Sequence, residues 1–142
     1  MNNSIMPVVG VATLIFKQGK LLLGQRKKTP GYDTWQCPGG LLQANETVFD
    51  CARREVLEET GMQIRDLAYG PYSNNIFTQE AVHSVTLYVT AVTEDEPRDA
   101  EPVLARNWQW FSVSALPQPL FLPIEELLKH YQHWFDSITN AR

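Results

Sequence analysis

Between Gly40 and Gly61 the chain reads G-x5-E-x7-R-E-V-L-E-E-T-G-M, a segment that permits one local structure and penalises it electrostatically. Acidic residues at the start (Glu46, Asp50) and a glycine where a left-handed cap belongs (Gly61) predict a helix over residues 47–60. Val48, Phe49, Ala52 and Val56 form its apolar stripe at helical spacing and are expected to face the core. Glu55, Glu58 and Glu59 stand at i, i+3 and i+4, so three carboxylates are expected to share one patch.

Helix stability does not select that patch. A like-charge pair such as Glu55 and Glu59 costs a few tenths of a kcal/mol, and an acid in the last turn opposes the helix dipole by another ~0.3–1 kcal/mol. A hard divalent cation reverses the sign, because clustered carboxylate oxygens are the ligands that Mg²⁺ or Mn²⁺ takes, together with waters and substrate phosphates. Arg54, four residues before Glu58, is placed to orient that carboxylate or hold it ionised. An isolated Glu-Glu pair would be an ordinary solvated face. Seven specified identities at residue frequencies of about 6% match by chance on the order of once in a billion start points, so the full pattern asks for chemistry.

Residues 40–62 resemble a complete Nudix box, the signature of MutT-like hydrolases that cleave nucleoside diphosphates linked to another group. No position of the box departs from the family's pattern. Weaker resemblance runs through Leu21-Leu22-Leu23-Gly24-Gln25-Arg26, Trp35-Gln36-Cys37-Pro38-Gly39-Gly40 and Trp108-Gln109-Trp110-Phe111. The resemblance implies a Nudix-type α/β/α sandwich with a mixed central sheet. Periodicity alone supports only an α/β or α+β class.

Strand signals are read at residues 8–16 and 20–25, joined as a hairpin through Gln18-Gly19, then at residues 63–72, 82–92 and 108–111. Thr29-Pro30-Gly31 and Pro38-Gly39-Gly40 are expected to be loops framing a site, and residues 93–102 a polar, acidic surface loop. A second helix is expected over residues 123–138, with Ile124, Leu127, Leu128, Tyr131, Trp134, Phe135 and Ile138 packed on the sheet.

At 142 residues, 44% hydrophobic and 20% charged, the chain is expected to form a single domain, residues 1–142. A net charge of −4 and a pI near 5.3 argue against a nucleic-acid polymer as partner, while a small anionic substrate stays open because a bound metal supplies local positive charge. Residues 1–6 show no leader pattern, and the longest apolar run, residues 8–16, is too short to span a bilayer, so a cytoplasmic location without membrane attachment is expected. Cys37 and Cys51 have no C-x-x-C spacing and are expected to be reduced thiols.

The resemblance implies metal-assisted hydrolysis of a pyrophosphate bond, with Mg²⁺ as cofactor and Mn²⁺ as substitute. Expected metal ligands are Glu55 and Glu59, Glu58 as ligand or water-orienting carboxylate, and Gly40 through its backbone. Arg54 is the expected partner of Glu58. Glu46 belongs to the helix start as a supporting group. Many family members add a carboxylate from outside the box, for which Glu101 is the candidate, with Glu94, Glu96 and Glu80 competing. Arg26, or Lys27 or Lys28, is expected to bind phosphate. Trp35 and Phe77, with Tyr88 and Trp108, are candidates to stack on a base.

Phe77 and Thr78 stand where ADP-ribose hydrolases of the family tend to carry proline and diadenosine polyphosphate hydrolases tyrosine. By elimination the resemblance implies a nucleoside triphosphate as the small-molecule partner, yielding a monophosphate and pyrophosphate. The alternatives are an ADP-ribose or nucleotide-sugar pyrophosphatase and a non-catalytic nucleotide-binding module. A homodimer is left open as a further partner.

Overall fold

The computed structural model describes residues 6–140, so the start of the chain read above for a leader, residues 1–5, lies outside the described residues. The elements run β1 (Val8–Lys17), β2 (Lys20–Arg26), β3 (Trp35–Gln36), β4 (Gly39–Leu41), α1 (Val48–Thr60), β5 (Arg65–Phe77), β6 (Val82–Val92), β7 (Ala105–Ser112) and α2 (Leu122–Thr139). Seven strands form one sheet in the order β3-β2-β1-β6-β5, with β4 pairing β1 and β7 pairing β2. β1 and β6 are parallel while the other pairs are antiparallel, which makes the sheet mixed. This is the expected α/β class and the sandwich the resemblance implies.

The central strands are apolar on both faces because both are covered. Leu14 and Phe16 of β1, Leu21 and Leu23 of β2, and Tyr88 of β6 pack with Ile124, Leu127 and Phe135 of α2. The intervening residues Val11, Ile15, Leu22 and Val89 turn to the opposite side and pack with Cys51, Ala52 and Val56 of α1 and Met62 after it. Besides Val89 and Ala91, the residues Thr86, Tyr88 and Thr90 on the other face of β6 are buried as well.

The hairpin turn falls on Gln18 (φ 52°) and Gly19 (φ 75°), two left-handed residues whose twist suits a two-residue connection. Pro38-Gly39-Gly40 is not wholly a loop. Gly39–Leu41 pairs with Gly10, Val11 and Ala12 of β1, and a Cβ on Gly39 would press on the Val11 carbonyl, so glycine is what admits the strand there. The strand expected at residues 63–72 runs on to Phe77, because β6 offers a hydrogen-bonding edge out to Val82. The one expected at residues 108–111 begins at Ala105, paired with Arg26.

Leu127 is fully buried between α2 and the sheet. Leu127→Ala is expected to cost ~2–5 kcal/mol of stability by combining lost transfer energy with an unfilled cavity, read as a lowered urea midpoint at unchanged slope.

Candidate active site

α1 starts at Thr47, whose Oγ1 accepts from Asp50 N at 3.1 Å, and ends at Gly61 (φ 74°), whose N–H donates to Leu57 O at 2.9 Å. No basic residue lies in its last turn. The compensating charge comes from one turn earlier. Arg54 donates from Nε to Glu46 Oε2 at 2.7 Å, from Nη1 to Glu55 Oε2 at 2.8 Å and Glu58 Oε1 at 3.4 Å, and from Nη2 to Glu46 Oε1 at 3.1 Å and Leu41 O at 3.3 Å. One guanidinium thus ties both ends of the helix to β4. Glu46 takes the supporting position at the helix start, and its oxygen also accepts from Gln43 N.

The three acids do not share a common point. Glu58 is half exposed and turned toward Arg54. Glu59 is only 5% exposed, accepts from Gly39 N at 3.2 Å and shares a hydrogen bond with Glu55. A Cβ on Gly40 would lie inside the Glu55 carboxylate, so the absence of a side chain there lets backbone and carboxylate meet. Burial, and then the Glu55 carboxylate, pushes Glu59 well above the usual carboxylate range, with Gly39 N–H and Lys28 pulling the other way.

Among the described residues no three His, Cys, Asp or Glu side chains gather into a metal cluster. Two carboxylates nevertheless suit Mg²⁺, which keeps several waters and takes one or two carboxylates plus substrate phosphates. Glu55 and Glu59, against the side-chain-free backbone of Gly40, fit that donor set.

A cavity of about 290 Å³ opens on the α2 face of the sheet, and its wall includes Gly39 and Gly40, the glycines that meet Glu59 and Glu55. Small residues make the room: Gly10 and Ala12 of β1 lie beside Thr86 and Tyr88 of β6. Arg26 and Lys28 line it, and the charge of Glu59 is felt at Arg26. Burial lowers Arg26 to about 10, which leaves it cationic at neutral pH. Its guanidinium donates to Pro30 O and, from Nη1, to Gln36 Oε1 at 2.9 Å, and lies 4.3 Å over the Phe121 ring. Phe121 in turn meets Phe77 at 5.6 Å between ring centroids.

Phe77 lines the cavity. Trp35 does not. It packs edge-on against Phe111 at 5.1 Å with the α2-side core and is absent from the cavity wall, because β3 turns its neighbour Gln36 inward instead. Trp108 is core as well, against Gly24. Tyr88 is buried at the floor, its hydroxyl 3.2 Å from Ser73 Oγ. Glu101 sits on a loop fastened to the end of α1 by Ala100 N to Glu59 O at 3.2 Å and Arg98 N to Thr60 O at 3.0 Å.

Phe121 and Gln36 escaped selection from sequence, whereas Lys28 stands on the cavity wall as one of the phosphate-binding alternatives. Phe121 carried one usable signal, an aromatic ahead of Pro123 that falls outside the apolar spacing of α2. Cys37 and Cys51 are free and buried, and burial pushes both thiols up to about 12, which keeps them protonated.

The Nudix domain family model matches residues 5–135. The chain belongs to the Nudix family of hydrolases. It is 30% identical over 105 residues to the oxidized purine nucleoside triphosphate hydrolase of Danio rerio, covering 73% of this chain and 65% of that protein. It is 29% identical over 130 residues to the ADP-ribose pyrophosphatase of Methanocaldococcus jannaschii, covering 90% and 75%. A MutT Nudix hydrolase structure from Burkholderia pseudomallei superposes with a TM-score of 0.79 at 30% identity, covering 87% of this chain and 99% of the other. No helix among the described residues is long and apolar enough to cross a membrane.

The Arg54 network generates a pH prediction. Its hydrogen bonds hold Glu46 down to about 2, against an ordinary 4.5. A depressed carboxylate stabilises the fold above its unfolded pKa and loses that contribution as pH falls through the folded one. Glu46→Gln is therefore expected to lower stability at pH 7, and its deficit against the native chain should close between pH 4.5 and about 2 in chemical denaturation across that range.

Proposed function

We infer that this Nudix hydrolase cleaves a pyrophosphate bond of a nucleoside triphosphate, releasing a nucleoside monophosphate and pyrophosphate. The observation that supports the reading is the Arg26–Phe121–Phe77 stack lining a cavity whose wall includes Gly39 and Gly40, the glycines that meet Glu59 and Glu55. The wall combines aromatic faces with cationic groups, Arg26 stacked on Phe121 and Lys28 on the same wall, the two kinds of contact that a base and phosphates use. A net charge of −4 favours a small nucleotide over a polymer.

Glu55 and Glu59, with the Gly40 backbone, would hold Mg²⁺ or Mn²⁺. Such an ion, when bound, neutralises phosphate oxygens and makes bound water more acidic. The chain's own groups do the rest. Arg26 and Lys28 draw the phosphates toward the acids by charge. Arg54 fixes Glu55 and Glu58 in direction, since each accepts from the same guanidinium. Glu58 orients water from the rim. Glu101, carried beside the Glu59 backbone, accepts the proton of the attacking water as one P–O bridge bond breaks and the departing phosphate takes the bridging oxygen.

The Methanocaldococcus jannaschii relative favours a second reading, hydrolysis of ADP-ribose or a nucleotide sugar, with the same catalytic groups. A panel of nucleoside triphosphates, ADP-ribose and nucleotide sugars with Mg²⁺, products separated by chromatography, decides between them. Monophosphate plus pyrophosphate from a triphosphate is expected. Turnover confined to the diphosphate conjugates, with sugar phosphate released, would refute the triphosphate assignment.

Glu59→Gln tests the metal site through two readouts. It is expected to cut kcat by two or more orders of magnitude, on the order of 3 kcal/mol in the barrier. Without metal it should raise Tm, because a buried carboxylate that resists ionisation is replaced by a neutral isostere. Mg²⁺ should raise the Tm of the native chain and leave that of the variant unchanged. Native-like turnover, or a Mg²⁺ response retained in the variant, would remove Glu59 from the site.

A further inference from the structure

The floor of the cavity has a hydrogen-bond polarity of its own. Asn75 of β5 stands opposite Ser84 of β6, and Ser73 opposite Thr86. Asn75 is fully buried, and its Nδ2 donates to Ser84 Oγ at 3.0 Å and to Thr86 Oγ1 at 3.0 Å. A hydroxyl that accepts from an amide still has its own O–H to give. Among the described residues neither hydroxyl makes a second hydrogen bond, and Asn75 Oδ1, the acceptor nearest in the chain of bonds, is itself without a partner. Ser84 and Thr86 both line the cavity. Their two protons are thus left for whatever occupies it.

The remaining polar wall has the same sign. Arg26 and Lys28 are donors only, and Gln36 Oε1 is already engaged by Arg26. No Asp or Glu is among the residues lining the cavity. A carbonyl oxygen would accept from these donors, whereas an amino hydrogen would find only the second lone pair of a hydroxyl already engaged by Asn75.

We propose that Asn75, by fixing Ser84 and Thr86 as donors, makes the cavity select nucleobases that present a carbonyl edge (the 6-oxopurines and 4-oxopyrimidines) over those that present an amino group there. The proposal rests on reading the cavity as the nucleotide site. Asn75 is a positioning residue, and the two hydroxyls are the groups that meet the base.

Binding of nucleoside monophosphates without metal, measured by calorimetry, tests this apart from catalysis. The matched pairs are inosine against adenosine monophosphate and uridine against cytidine monophosphate, each exchanging a carbonyl for an amino group. In the ring class that binds more tightly, the carbonyl member is expected to win by about tenfold, the worth of one buried donor left unpaired. Asn75→Asp replaces the donating amide by an acceptor that takes both hydroxyl protons and turns their lone pairs to the ligand, so the ratio should fall to one or invert. If that variant does not fold, Thr86→Val, which keeps the shape and removes one donor, should bring the ratio close to one.

Equal or tighter binding of the amino member by the native chain overturns the proposal. So does an unchanged ratio in the folded variant, or no binding of any of the four at millimolar concentration. Failure of the triphosphate reading shows elsewhere, as missing pyrophosphate in the product panel while the matched pairs still discriminate.

Discussion

One guanidinium holds the catalytic end of this molecule together. Arg54 bonds carboxylates from the start and the end of α1 and a carbonyl of β4, so a single side chain fixes the helix relative to the strand that lies under Glu55. Without it, Glu55, Glu58 and Glu59 would meet a helix C-terminus that has no basic residue in its last turn. The arrangement leaves an asymmetry in charge. Glu46 is drawn down into firm ionisation, while Glu59, out of reach of the guanidinium and buried beside Glu55, is pushed the other way. A buried acid that resists ionisation is unfavourable for folding and a good ligand for a divalent cation, which offsets its charge.

The second constraint is steric. The sheet is coated by helices on both faces, and a two-faced strand normally fills each side with large residues. On the α2 face that rule fails along one line, where Gly10 on β1 pairs with Thr86 on β6, two residues from Ser84. The omitted volume is the cavity. The same parallel pairing that gives the core its depth at Leu14, Phe16 and Tyr88 therefore yields a hollow two residues further toward the strand ends. Glycine has a related use at Gly40, where any side chain would displace the Glu55 carboxylate.

These two constraints explain what could be read in advance. The helix of residues 47–60 and its cap at Gly61 were readable because local chemistry dictates both, and the hairpin at Gln18-Gly19 for the same reason. α2 followed from its spacing, although its apolar run conceals the non-helical Tyr131 at φ −134°, a feature no periodicity encodes. β4 was hidden because Pro-Gly-Gly signals a loop, and only pairing with β1 makes it a strand. Trp35 was misjudged because aromatic character alone cannot tell a ring that stacks on a ligand from one that packs on Phe111. Phe121 and the Asn75–Ser84–Thr86 set depend on contacts between residues far apart in sequence, which spacing does not record.

The divergence among the relatives, between oxidized purine triphosphates and ADP-ribose in their names, is what this division of labour allows. The acids and their arginine lie on α1 and just before it, tied to β4 through Leu41 O, and the linkage hydrolysed by the family is one that all these compounds contain. The walls come from β5, β6 and the approach to α2, outside the box, where a change of side chain alters what is recognised without moving the carboxylates. Selectivity in this chain is accordingly carried by neutral groups. On the proposed reading Phe77 and Phe121 do not choose among bases, since every base has a face to stack. Discrimination then falls to hydrogen-bond sign at the floor, where Asn75 is buried too deeply to be reoriented by solvent and sets the direction of both hydroxyls.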